Sequence, residues 1–156
     1  MTSPLFLLPG MMWDARLFGP QVEAYSNQRS VQREMISTAD NISALAKIVL
    51  SRTPEKFAVA GLSMGGIVAM KILRQAPERI AGLALLDTNP MSEMPDGAAR
   101  RKPQIEKARS GGLYSAMRDE MKQGRFLPTV DFGTPCKHWF LRDILARWPG
   151  FEPGTP

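Results

Sequence analysis

The residues best placed to do chemistry are Gly61-Leu62-Ser63-Met64-Gly65, followed at once by Gly66. A serine hydroxyl is a weak nucleophile. It becomes useful when a sharp turn lifts it clear of its neighbours and a base takes its proton. Glycines two before and two after the serine let such a turn close without clashes. The Met64 N–H, at the start of a helix, would aim at the place where a carbonyl oxygen gains charge during attack. The implied chemistry is acyl transfer. By composition alone this string arises in roughly one chain of this length in twenty, so its flanks decide its weight. Phe57-Ala58-Val59-Ala60 reads as a strand, and Ile67 to Gln75 reads as a helix. Gly66 removes a side chain where helix and strand approach. The competing reading is a glycine-rich strand–helix turn whose serine only caps the helix.

A nucleophilic serine needs a base and an acid. His138, the one histidine, lies in Cys136-Lys137-His138-Trp139-Phe140, in the first turn of an expected helix. It is the candidate base, against the plainer reading of a helix-surface or partly buried histidine. Asp87, after the apolar run ending at Leu86, is the candidate acid, against a role in capping a loop or shaping a pocket. Asp131 and Asp143 have no supporting context. The ten methionines are core or pocket lining by spacing. Met11, Met12, Met64 and Met91 fall in loops after strand ends, where they could line an acyl pocket. No metal or organic cofactor is implied.

These residues need a scaffold. Leu5 to Leu8 is a continuous apolar run bounded by prolines, as a strand buried on both faces requires. Phe18 to Tyr25 reads as a short helix. Ser30 to Ile36 holds a weak second strand whose polar residues suit a sheet edge. Asp40 or Asn41 would cap a helix in which Ile42, Leu45, Ala46, Val49 and Leu50 form one apolar stripe. The helix after Ser63 is apolar almost all round and is expected to be buried on most sides. Ile80 to Leu86 is a fourth strand. Alternating strands and helices give a parallel sheet with right-handed crossovers, an α/β fold.

From Met91 the texture changes. Asp96 to Ser110 is helical in composition, with Pro103 expected to kink or split it. Gly111-Gly112 breaks it, and Leu113, Ala116, Met117 and Met121 mark a further amphipathic helix. Beyond Lys122 the chain becomes rich in Gly and Pro, with one short helix near Leu141 to Trp148 and a disordered end. The expected organisation is 1–90, 91–122 and 123–156.

Composition bounds the partners. The formal charge of +5 comes from 20 basic and 15 acidic residues. The densest basic cluster, Arg100-Arg101-Lys102, reads as a solvated helix face. No aromatic stacking pattern accompanies it, so no nucleic-acid partner is expected. Nothing approaches a membrane-spanning length, and the N-terminal apolar run lacks the flanks of a signal peptide. Cys136 stands alone, so no intrachain disulfide forms, which fits a cytoplasmic protein.

Leu7-Leu8-Pro9-Gly10-Met11-Met12-Trp13-Asp14, then the serine turn, then Leu85-Leu86-Asp87-Thr88-Asn89-Pro90 resemble the α/β-hydrolase superfamily, in its esterase-like branch. The resemblance covers about Leu5 to Lys122. It implies that Ser63 is the nucleophile on an elbow formed by Gly61 and Gly65. It implies that the Met11 and Met64 backbone N–H groups form an oxyanion hole, and that residues 91–122 are a helical cap. Pro9-Gly10 stands where the family more often has His-Gly. The family's order of serine, acid, histidine leaves only Asp87 and His138 here. After Lys122 the strand–helix rhythm stops, which reads as a truncated hydrolase with a replaced or frame-shifted end after about Gln123. The implied fold is a partial α/β-hydrolase, a small parallel sheet with an incomplete edge open to self-association. The implied activity is hydrolysis of a small ester. The alternatives are a catalytically silent remnant that binds an acyl ligand or a partner, and an acyltransferase.

Overall fold

The structure is a computed structural model that describes residues 2–11, 13–89, 91 and 95–122. His138, Cys136, Met12, Asp131, Asp143 and the whole segment from 123 onward lie outside the described residues. The described chain falls into two compact units that divide between Pro90 and Met91.

The first unit is built on a four-stranded parallel sheet, β1 (Leu5–Leu8), β2 (Val31–Arg33), β3 (Phe57–Leu62) and β4 (Ile80–Leu86), in the order β2-β1-β3-β4. β1 and β3 are central, and every residue of β1 is buried. Alternation divides the apolar side chains between two faces. Phe6, Leu8, Phe57 and Val59 pack on one side against Leu45, Ala46 and Val49 of α2 (Ile42–Arg52) and Val68, Ala69 and Ile72 of α3 (Met64–Gln75). Leu5, Leu7, Ala60, Ala84 and Leu86 pack on the other side with Phe18 and Tyr25, the latter from α1 (Gly19–Tyr25). The continuous apolar run of β1 therefore serves two cores at once.

The second strand is shorter than its sequence suggests and occupies one edge, with Gln32 and Arg33 exposed. A 3-10 turn, Ala15–Phe18, precedes α1, and Asp14 caps it through the Arg16 N–H at 2.8 Å. Asn41 caps α2 through the Ala44 N–H, also at 2.8 Å. Arg79 fixes the approach to β3: its guanidinium donates to the Thr53 and Pro54 carbonyls and to Thr53 Oγ1, at 2.7, 2.8 and 3.0 Å, and lies over the Phe57 ring. α3 is less enclosed than its composition suggests. Ile67 is 38% exposed, and on β4 Leu85 is 39% exposed.

The second unit contains α4 (Pro95–Lys107), a π-helical turn (Ala108–Gly112) and α5 (Leu113–Lys122). Of the kink or split expected at Pro103, the split does not occur, and α4 runs through the proline undivided. Residues 99 to 103 around it are exposed, so water can satisfy the carbonyl that loses its amide partner, and the ring costs less than in a buried helix. The chain leaves helical geometry at Ser110 and Gly111, where Gly111 takes φ 90°.

Candidate active site

Ser63 joins β3 to α3 and holds φ 51° and ψ −115°. A non-glycine residue in that region stores about 1–3 kcal/mol of strain and persists only where its surroundings enforce it. The surroundings can be named. The Ser63 N–H donates to the Leu86 carbonyl at the end of β4, at 2.8 Å. The Ser63 carbonyl accepts from the Gly66 N–H at 3.0 Å, the Ile67 N–H at 3.3 Å and Thr88 Oγ1 at 2.7 Å. Backbone contacts on both sides thus clamp the residue, while its hydroxyl does not cap α3 and makes no hydrogen bond among the described residues.

The glycines explain how the turn closes. A Cβ on Gly61 would strike the Gly65 carbonyl, and one on Gly65 would strike the Leu8 carbonyl and come within 2.6 Å of the Pro9 carbonyl. A Cβ on Gly66 would meet Thr88 Cβ at 2.6 Å. The spacing is therefore a packing requirement: the first turn of α3 presses against the end of β1, and its next residue against the loop after β4. Gly66 does remove a side chain at a close approach, but its neighbour is the Thr88 side chain.

The loop after β1 runs beside the serine. A Cβ on Gly10 would lie 3.4 Å from Ser63 Cβ. The Trp13 N–H donates to the Gly10 carbonyl at 3.3 Å. Among the described residues, no backbone carbonyl takes the Met11 or Met64 N–H. The Met64 amide stands at the positive end of α3.

Asp87 follows β4 in a left-handed conformation, φ 42°. It and Ser63 are the non-glycine residues with positive φ among those described, and they sit at the ends of adjacent strands. Asp87 is exposed and makes no hydrogen bond or ion pair among the described residues. Its turn instead brings Thr88 back onto the Ser63 carbonyl. Thr88 is a residue of the candidate site that nothing in the sequence marks. Its partner lies 25 positions away, and the contact depends on a left-handed aspartate. The structure thus brings together the Gly10–Met11 loop, Ser63, Met64 and the Thr88 loop. His138 lies outside the described residues.

On the Met11 and Met64 side of the serine lies a groove of about 330 Å³, bounded by the loop after β1, residues 35–41 and the start of α2. Among the described residues, no three of His, Cys, Asp and Glu gather closely enough to hold a metal ion, and no helix is long and apolar enough to cross a membrane.

No family model matches the chain. Over 116 residues it is 37% identical to the pimeloyl-[acyl-carrier protein] methyl ester esterase of Pectobacterium carotovorum subsp. carotovorum (strain PC1), a match covering 71% of this chain and 44% of that protein. Over 110 residues it is 34% identical to the protein of the same name from Yersinia enterocolitica serotype O:8 / biotype 1B, covering 69% and 41%. The chain thus spans less than half the length of these curated relatives. Among solved structures, it is similar to a thermophilic esterase from Thermogutta terrifontis at 28% identity and a TM-score of 0.60, over 72% of this chain and 46% of that one. It shares its fold with the enol-lactonase of Burkholderia xenovorans LB400, at 24% identity and a TM-score of 0.67, over 85% and 54%. The parallel sheet, the strained serine between β3 and α3 and these likenesses agree, and the chain belongs to the α/β-hydrolase superfamily, with esterases among its relatives.

Proposed function

We propose that the chain carries the nucleophile half of an ester hydrolase, in which Ser63 attacks the carbonyl of a small ester. The observation that carries this reading is the state of Ser63. The protein holds it in a costly backbone conformation, yet among the described residues its hydroxyl makes no hydrogen bond. A serine kept only to cap α3 would show the cap hydrogen bond, and it does not. In the proposed step Ser63 Oγ bonds to the ester carbon and loses its proton to a base. The Met11 and Met64 N–H groups donate to the oxygen that becomes negative, and collapse expels the alcohol. Water then releases the acid and restores the serine. A group that donates only to the developing oxyanion contributes typically about 10²–10³ in rate.

His138 is proposed as the base, because it is the one histidine of the chain, and Asp87 as the acid, because it follows β4 beside the Ser63 turn. The lone cysteine is compatible with a reducing, cytoplasmic setting. The esterase names of the relatives support an ester substrate, and the acyl-carrier protein methyl ester in two of those names is one member of that class.

Hydrolysis of p-nitrophenyl butyrate tests the reading. Activity is expected from the full chain and is expected to fall at least about a thousandfold in Ser63→Ala. Equal rates in both proteins would refute the assignment. His138→Ala is expected to reduce the rate about as much, and an unchanged rate would remove His138 from the mechanism. A second reading, a silent relative that only binds an acyl ligand, is favoured by one observation: Asp87 is exposed and unengaged among the described residues. It is the expected conclusion if ester binds without turnover.

A further inference from the structure

The groove beside Ser63 has a chemistry of its own. Its walls are apolar, formed by Met11, Trp13, Met35, Ile42, Leu45 and Met64. Most large apolar residues of this unit are buried, yet Met11, Trp13 and Met35 stand 53%, 39% and 37% exposed, and all three face the same groove. Exposed apolar side chains scattered singly need no explanation, whereas a cluster around a concavity marks a binding site. Methionine suits such a site because its unbranched, polarizable chain adapts to what it covers. At about 330 Å³ the groove lies at the small end of ligand pockets, which run from about 300 to 1,000 Å³. That fits a short or medium chain.

Its polar corner is also specific. Asp40 is the one ionisable residue among the described residues lining the groove. The carboxylate is held in place by its neighbour. Asn41 Nδ2 donates to Asp40 Oδ1 at 3.0 Å, while Asn41 Oδ1 is fixed by the Ala44 N–H at the start of α2. A chain lying in the groove therefore meets apolar side chains and one negative charge. An ionised carboxylate on that chain would be repelled, and among the described lining residues no cation stands ready to pair with it.

We infer that this groove is the chain-binding subsite of the ester, and that Asp40 selects chains whose remote end is uncharged over chains ending in a free carboxylate. The inference rests on the ester reading of Ser63 for the class of ligand, but its test needs no turnover. Trp13 lines the groove and serves as a built-in reporter. The full chain carries three tryptophans, so Trp139→Phe and Trp148→Phe leave Trp13 alone, and Ser63→Ala prevents consumption of ligand. In that background, dimethyl adipate is expected to change Trp13 emission saturably. Monomethyl adipate, ionised at neutral pH, is expected to bind about fivefold more weakly, the effect of a unit charge about 4 Å away in water. Asp40→Asn, an exposed change that spares the α2 cap, is expected to close that gap.

No saturable response, equal binding of the two esters, or a gap that survives Asp40→Asn would each overturn the inference. Failure of the Ser63 reading would show instead as absent hydrolysis in the wild type with this binding pattern intact.

Discussion

At the scale of single residues, Ser63 is held by what surrounds its backbone. Three donors converge on its carbonyl, and one of them is the Thr88 hydroxyl at 2.7 Å. Thr88→Val keeps the shape and removes that donor, and is expected to cost about 1 kcal/mol in denaturant unfolding. A larger fall in hydrolysis than in stability would show that the bond positions the serine as well as supporting the fold. Gly65→Ala forces a Cβ onto the Leu8 carbonyl. Its neighbour is backbone at the end of a fully buried strand and cannot swing aside, so a loss of about 1–3 kcal/mol is expected. No measurable change in midpoint would mean that the first turn of α3 does not press on β1 as described. The glycine spacing was legible in the sequence because sterics alone demand it. Thr88 was not, because nothing local to Asp87-Thr88-Asn89-Pro90 says that the hydroxyl will reach back to the serine.

At the scale of elements, strands and helices were legible wherever one period governed a whole segment. The Ile42 to Leu50 stripe packs as its spacing requires, with Leu45, Ala46 and Val49 buried. Where a segment answers to solvent rather than to a core, the sequence is a weaker guide, and α4 passes through Pro103 for that reason. The groove was not legible as a unit, since residues 35–41 carry no period and meet Met11 and Met64 only through the fold.

Two loop contacts carry further expectations. Arg79 ties the α2–β3 connection through its guanidinium. Arg79→Met removes those charge-assisted bonds and is expected to cost about 2 kcal/mol in denaturant unfolding; a change below about 0.5 kcal/mol would contradict that role. The Asp14–Arg16 pair caps the turn that follows the Met11 loop. The Arg16 side chain donates to the Asp14 carboxylate and holds its pKa below the usual carboxylate range. A carboxylate whose folded pKa is depressed contributes stability above its unfolded value and loses it as pH falls through the folded one. The cap is therefore expected to persist through neutral pH and to open only in acid below the ordinary aspartate range. Amide exchange of Arg16 against pH checks this, and opening above that range would contradict it.

At the scale of the whole molecule, the two sheet edges differ. β2 is a three-residue edge with exposed Gln32 and Arg33. β4 is a seven-residue edge reading Ile-Ala-Gly-Leu-Ala-Leu-Leu, with no charge and no proline, paired only to β3 among the described residues. Long, uncharged edges invite pairing with another chain. Concentration-dependent self-association is expected by light scattering, and Leu85→Lys, at an exposed position on β4, is expected to reduce it. A monomer at all concentrations would contradict the proposed association.

The chain spans 44% of its Pectobacterium relative, so the decisive question is whether it activates its serine. Incubation of the full chain with a fluorophosphonate probe, followed by peptide mass mapping, answers that directly. Labelling is expected on Ser63 in the wild type and absent in Ser63→Ala. A wild-type chain that is folded by circular dichroism yet remains unlabelled would contradict the assignment of Ser63 as an activated nucleophile.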